Sequence, residues 1–379
     1  MGLPLFAPGK PQRVTKNDFP KGESYPGAFT LSNRKSGKRS VFVAPVRLPI
    51  HSIIYHKRNL MSKENKIADY KAMIQKAFPP GHKESEGLFG PGSMHWLLYR
   101  ESGIIIASYR ALMLQVAHPA IADGVHQFSA FKKDYLGRAE RTFTNMINIY
   151  FGDRQTALRS GFGLYTMHGR IRGTIQIEEG GRNQTRAYSA NDPDLLLWVL
   201  ATMVEATLYA YEKTCRELSN EEKEKYFEET KSVATLMGIP LDLYPENLHA
   251  FHAYFQKMIT GNVLRVDELT LDLATAIFKP PFFPAYLAKT LAAGGLPPRW
   301  RRAYGLDYTK AKRKTFRAIV FITKVFRKLC PHPLGYAPPW YQAHYRVARA
   351  SGRRPHLVDS LFNRLARLPI LKGVTLTNH

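Results

Sequence analysis

The 379-residue chain has only two cysteines, Cys215 and Cys330, far apart in sequence. Two thiols cannot make a disulfide framework or a cysteine-built zinc site, and they fit a reducing compartment. Acidic residues are scarce: 30 Asp and Glu stand against 55 Lys and Arg, for a formal net charge of +25. Such an imbalance calls for an anionic partner, whether nucleic acid, a membrane surface or the acidic groups of a ligand. Long apolar runs are missing too. Residues 103–117 and 195–211 are the most apolar, but Arg110 interrupts the first and Glu205 the second. Both stop short of the about 20 residues that a membrane-spanning helix needs. The N-terminus lacks the apolar core of a signal peptide, and Phe6 breaks the myristoylation pattern behind Met1-Gly2. There is no P-loop, no G-x-G-x-x-G after a strand, no G-x-S-x-G and no H-E-x-x-H.

What remains is a globular composition, 44% hydrophobic and 12% aromatic. Residues 1–60 keep no sustained period and read as a basic, irregular arm that includes the group Arg34 to Arg39. Their Ser and Gly content leaves organellar targeting open, with Asp18, Glu23 and the prolines counting against it. The expected location is intracellular, either cytoplasmic or peripherally membrane-associated. Residues 61–379 read as one large helical domain. Ser62 caps a first helix that stops before Pro79-Pro80-Gly81. The segment 103–117 breaks at His118-Pro119, because a residue before proline is pushed out of the helical region. Helices follow over roughly 136–151 and 154–176, then a polar loop with room for a short hairpin. Asp192-Pro193 opens a helix to about Leu218, and Ser219 with Glu222 makes a capping box for the next. Further helices are expected near 246–260, 267–277, 309–329, 338–350 and 356–367. The class is all-α, with no internal repeat.

Several residues could carry chemistry. In YTMHGRIRG, His168 shares a helical stripe with Gly161, Leu164, Tyr165, Ile171, Arg172 and Ile175. A buried histidine satisfied by a neighbour and a histidine that ligates a metal both fit that stripe. In GRAERTFTNMINIYFG, Phe143, Met146, Ile147 and Tyr150 form a core-facing stripe. Arg138, Thr142, Asn145 and Ile149 share a second face, with Arg141 at its edge. Gln115, His118 and His126 flank the proline break, and the histidines lack a helical metal-ligand spacing. Glu246, His249 and His252 form a fragment of a di-iron helix without the partner motifs that such a centre needs.

Taken together, LMLQVAHPAIADGV, FKKDYLGRAERTFTNM, YFGD, YTMHGRIRG and YSANDPDLLLWVLATM resemble the catalytic domain of the rubber oxygenases. That superfamily contains the latex-clearing proteins and the fungal membrane-bound oxygenase of mycophenolic acid biosynthesis. The likeness spans about residues 90–350, including PPRWRRAYGL. It implies a globin-like helical core holding one haem b, with Gly161 and Gly169 permitting close approach of ring and helix backbone. The family's proximal H-x-x-x-R is matched by His168 and Arg172, and its R-x-x-x-T by Arg138 and Thr142. The latex-clearing branch carries a distal lysine where this chain has Arg141, which stays charged and is a poor iron ligand. Many relatives carry a histidine where this chain has Leu200.

The expected function is therefore a haem-dependent oxygenase that uses dioxygen on a lipophilic, isoprenoid-like alkene. His168 is the iron ligand, Arg138 and Arg172 are cofactor-binding, and Arg141 with Thr142 steer oxygen. A haem-binding sensor or carrier without turnover needs the same pocket and is the alternative. A nucleic-acid-binding protein is the third reading, motivated by charge and by Trp300, Tyr304, Tyr308 and Phe316 among the cations. The lack of a recognised binding module disfavours it. Between Arg299 and Arg354, fifteen Lys and Arg accompany one acid, Asp307. This segment is expected to meet anionic lipid headgroups by charge alone, without insertion.

Overall fold

The computed structural model describes residues 29–31, 40–42, 63–78, 81–128, 135–179, 182–279, 284–329 and 335–365. The chain divides into two compact units, Met1–Ser62 and Lys63–His379. In the first, β1 (Phe29–Leu31) and β2 (Ser40–Phe42) pair antiparallel, Phe29 opposite Phe42.

The second unit is helical. In chain order it holds α1 (Lys63–Ile74), α2 (Met94–Tyr99), α3 (Ile104–Val116), α4 (Pro119–Phe128), α5 (Tyr135–Phe151) and α6 (Arg154–His168). A hairpin of β3 (Arg172–Glu179) and β4 (Arg182–Ser189) follows, Arg172 opposite Ser189 and Glu179 opposite Arg182. Then come α7 (Pro193–Thr214), α8 (Asn220–Met237), α9 (Leu248–Thr260), α10 (Glu268–Ile277) and α11 (Ala285–Gly295). The last are α12 (Pro298–Ala303), α13 (Lys310–Leu329), α14 (Pro338–Ala350) and α15 (Leu357–Leu365). The fold is all-α, as expected.

The local signals act as chemistry requires. Ser219 accepts from the Glu222 N–H while Glu222 accepts from the Ser219 N–H, a complete capping box. At His118-Pro119 the axis turns by 96° between α3 and α4. Asp192 precedes Pro193 as expected, but its carboxylate accepts from the Ser189 N–H instead of capping the helix. Three helices escape sequence reading: α2, α11 and α12 are short or closed by Gly and Pro.

The core centres on α3 against α7. Met113, Leu114, Trp198, Ala206 and Ala210 are fully buried there, and small residues let the two backbones approach. Trp198 Nε1 donates to the Leu114 carbonyl at 3.2 Å, and Tyr304 donates to that of Met113 at 2.6 Å. The two charges that interrupt the most apolar segments meet each other. Arg110 Nε donates to Glu205 Oε2 at 2.6 Å, its Nη2 reaches Glu205 Oε1, and its Nη1 donates to the Gly295 carbonyl on α11. Its guanidinium also lies 4.5 Å from the centre of the Tyr209 ring. The α7 helix is 22 residues long and apolar enough to cross a membrane by length and composition. This corrects the expectation of too short a run, and 72% of its apolar window is buried inside the fold.

Removing one partner of this pair leaves a buried charge. Arg110→Met or Glu205→Met alone is expected to cost about 3–5 kcal/mol, and the double substitution less than the sum of the two. Urea unfolding of the four proteins checks this. Additive losses would show that the pair does not act as a unit.

Candidate functional site

Helices α5 and α6 turn back on each other through Gly152-Asp153. Asp153 caps α6 by accepting from the Thr156 N–H at 2.7 Å. Gly152 has no room for a side chain, since a Cβ would stand 2.3 Å from the Asn148 carbonyl. The closed end of this helical hairpin is deeply held: Ile149, Tyr150, Phe151, Ala157 and Gly161 are buried. Arg346 pins it from α14, donating to the carbonyls of Phe151 at 2.6 Å and Ser85 at 2.9 Å.

The other end is open. Arg141 and Thr142 are exposed, Phe143 is 45% exposed and Met167 47%, while Leu164, Tyr165 and His168 are half-buried. Counting outward from the turn at one residue per 1.5 Å of rise, Thr142 lies level with Gly163, and Arg138 level with Met167 and His168. A Cβ on Gly163 would meet nothing within 4 Å. The hairpin thus brings R-x-x-x-T and the histidine of H-x-x-x-R to one end. The side chain of Arg138 lies outside the described residues.

Three expectations need correction. Phe143 does not face the core, and Ile149 does, because burial along α5 is graded by distance from the turn as well as by face. Gly161 does not leave space for a ligand: its missing Cβ lets α6 pack on α8, where it would stand 2.7 Å from Leu236. The helix from 154 also ends at His168 and does not run to 176. Gly169 closes it, Ile171 N–H donates to the His168 carbonyl at 3.0 Å, and Asn191 donates to that of Tyr165 at 2.9 Å. Residues 172–177 then alternate strictly, with Arg172, Thr174 and Gln176 exposed and Gly173, Ile175 and Ile177 turned inward. That period-two pattern, rich in β-branched residues, outweighs the helical stripe. His168 and Arg172 therefore do not share a helical face; Arg172 is an exposed cation at the start of β3.

Residues around the proline break hold structure. Asp123 accepts from Tyr188 at 2.6 Å and from Gln127 at 2.7 Å, tying α4 to the hairpin. Gln115 donates to Thr202 at 2.9 Å, joining α3 to α7, and Leu200 is buried in the core. His118 accepts from the Ala120 N–H at 3.3 Å and helps start α4. Burial, followed by the nearby Arg186 and Arg265, pushes its imidazole down to about 4. His126, His249 and His252 are exposed, and Glu246 precedes α9.

Sequence reading missed a buried cluster beneath the closed end. His95 Nδ1 lies 3.0 Å from Glu229 Oε2, and this carboxylate also accepts from the N–H groups of Met94 and His95, capping α2. Burial pushes the imidazole down against the pull of Glu229, so a neutral ring donates to a carboxylate. His95 stacks on Phe89 at 3.8 Å and is ringed by Tyr99, Tyr150 and Tyr226. No local signal announces it, since Glu229 is one acid within a charged helix 134 residues away.

An all-α domain with two charge-bearing motifs gathered at the open end of a helical hairpin defines the class, and comparison with known proteins defines the family. Residues 96–325, more than half of the chain, match the catalytic domain described as ER-bound oxygenase mpaB/B'/Rubber oxygenase, and the protein belongs to that family. The family makes it an enzyme, an oxidoreductase of the oxygenase kind. Two similar proteins are uncharacterized: Mb2261 of Mycobacterium bovis and Rv2237 of Mycobacterium tuberculosis. Each is 22% identical over 173 residues, covering 43% of this chain and 67% of the relative. No solved structure matches.

The His118 imidazole gives a pH test. Its folded pKa lies below the ordinary value, so the unfolded chain binds the extra proton, and stability falls as pH drops from about 6.5 towards 4. Wild type should lose on the order of 1–2 kcal/mol more than His118→Asn between about pH 7.5 and 5. Urea midpoints at the two pH values measure this, and parallel losses would refute it.

Proposed function

We propose that the open end of the α5–α6 hairpin holds one haem b in a globin-like core, and that the protein uses it with dioxygen to oxygenate a lipophilic, isoprenoid-like alkene. The observation that carries this reading is the convergence of the R-x-x-x-T segment and His168 at one end, beside exposed apolar side chains. The donor chemistry fits. Among the described residues no three His, Cys, Asp or Glu side chains cluster as a metal centre would need. A haem would ask little of the protein in donor groups, and His168 offers a half-buried imidazole there. Exposed Phe143 and Met167 suit the flat apolar faces of such a ring.

His168 would hold the iron through its imidazole. The exposed guanidinium of Arg172, with Arg138, would pair with the cofactor's carboxylates and fix its orientation. When bound, haem supplies the redox chemistry with dioxygen. Thr142 offers a hydroxyl donor, and Arg141 a permanent cation that does not ligate iron, to orient dioxygen and hold negative charge. The apolar side chains at the mouth exclude water and accept a hydrocarbon substrate.

His168→Ala is expected to lose the Soret absorbance that wild type acquires on haem reconstitution, with an unchanged far-ultraviolet circular dichroism spectrum. Arg141→Ala should keep the cofactor and its ligation. A wild-type Soret band and stoichiometry in His168→Ala would overturn the ligand assignment. Oxygen uptake that depends on an isoprenoid alkene separates turnover from a sensor or carrier.

A further inference from the structure

The C-terminal basic segment does more than carry charge. In α13, KAKRKTFRAIVFITKVFRKL, no acidic residue occurs, and three faces are distinct. The inward face carries Lys312, Phe316, Thr323 and Arg327, spaced by four, seven and four residues. Each end is fastened by charge: Lys312 donates to Asp307 at 2.7 Å, and Arg327 donates to the buried Glu101 at 2.7 and 3.1 Å. Between them Phe316 is buried against Gly294, where a Cβ would stand 2.3 Å from its ring. These anchors fix the rotation of the helix about its axis, so its outer surface is presented and not merely mobile.

That outer surface is divided lengthwise. Ile322, Phe326 and Leu329 follow one another at helical spacing and are 63%, 51% and 75% exposed, while Phe321, 66% exposed, stands among the cations of the neighbouring arc. Lys310, Arg313, Lys314, Arg317, Lys324 and Lys328 form the adjoining exposed arc. Aromatic and branched aliphatic side chains standing in water beside a continuous cationic strip are the pattern of a helix lying in a bilayer interface. A nucleic acid would satisfy the cations and leave Ile322, Phe326 and Leu329 hydrated. Of the aromatic residues first considered as stacking platforms, Trp300, Tyr304 and Phe316 are buried and Tyr308 lies beneath Arg301. An apolar protein groove would satisfy the stripe and strand the cations. An anionic bilayer surface meets both, with phosphate and carboxylate headgroups above and acyl chains below.

We propose that α13 is a membrane-docking helix that inserts its Ile322, Phe326 and Leu329 edge into the interface of an anionic bilayer, with the basic arc and Phe321 at headgroup level. This differs from attachment by charge alone, and it is independent of the haem reading. The test is sedimentation of the full-length protein with phosphatidylcholine vesicles with and without about 30 mol% phosphatidylserine, in about 0.1 M and about 0.5 M salt. Wild type should bind the anionic vesicles at both salt concentrations, more weakly at the higher. Ile322→Gln with Phe326→Gln, which keeps every charge and a good helix former at each site, should bind at least about tenfold more weakly at both. Lys314→Glu with Arg317→Glu should lose most binding at the lower salt. Thermal unfolding should be unchanged in both variants, because all four side chains are exposed. Equal binding by wild type and Ile322→Gln/Phe326→Gln, complete release of wild type at high salt, or no vesicle binding would overturn the proposal. So would light scattering that finds a wild-type dimer without lipid and a monomeric Ile322→Gln/Phe326→Gln variant, since a second copy would then cover the stripe.

Discussion

A buried guanidinium and a half-buried carboxylate between two apolar helices organise this molecule. Arg110 and Glu205 sit where α3 and α7 cross, and neither could be there without the other, because an unpaired ion in that environment costs several kcal/mol. The pair sets the register of the two helices, since a slide of one turn would part the ions. The third contact, to the Gly295 carbonyl, extends the constraint to α11. Through α11 and Gly294 it reaches Phe316, and so the rotation of α13. Shape complementarity among Leu, Ala and Trp side chains tolerates several packings; the ion pair selects one.

The helical class, the break at His118-Pro119 and the Ser219–Glu222 cap were legible because each depends on a few adjacent residues. The charges Arg110 and Glu205 were legible only as interruptions of apolar segments. Their pairing is a fact of tertiary structure, separated by 95 residues. The same holds for His95 and Glu229. The segment after His168 misled for a different reason. Ile171, Arg172 and Ile175 satisfy a helical period and a strand period at once, and an apolar stripe cannot choose between them. The β4 strand decides, by offering partners to the backbone from Arg172 to Glu179.

The candidate site shows the same division. The motif residues could be found in the sequence, yet their arrangement follows from the two-residue turn at Gly152-Asp153, which folds one motif back beside the other. Gly161 marks the limit of such reading. A glycine near a candidate ligand suggests room for a cofactor, but the absent side chain is used to seat Leu236. Anchoring lies at one end of the hairpin and the candidate residues at the other. An open, polar and partly apolar end needs a rigid base, and Arg346, Tyr150 and the His95 cluster supply it.

Glu101 stands a few residues inside the start of the family-matched segment, and Arg327 two residues beyond its end. Their contact ties the catalytic domain into a ring, and this has a consequence for synthesis. While the chain emerges N-terminus first, Glu101 and the helices around it are made long before the α13 guanidinium that reaches it, 226 residues later. Until then its carboxylate has only the neighbouring Arg100, at 3.3 Å, and the place where α13 docks is unfilled. The nascent domain is therefore an incomplete ring through most of translation. It closes only when the helix that carries both Arg327 and the exposed apolar stripe has left the ribosome.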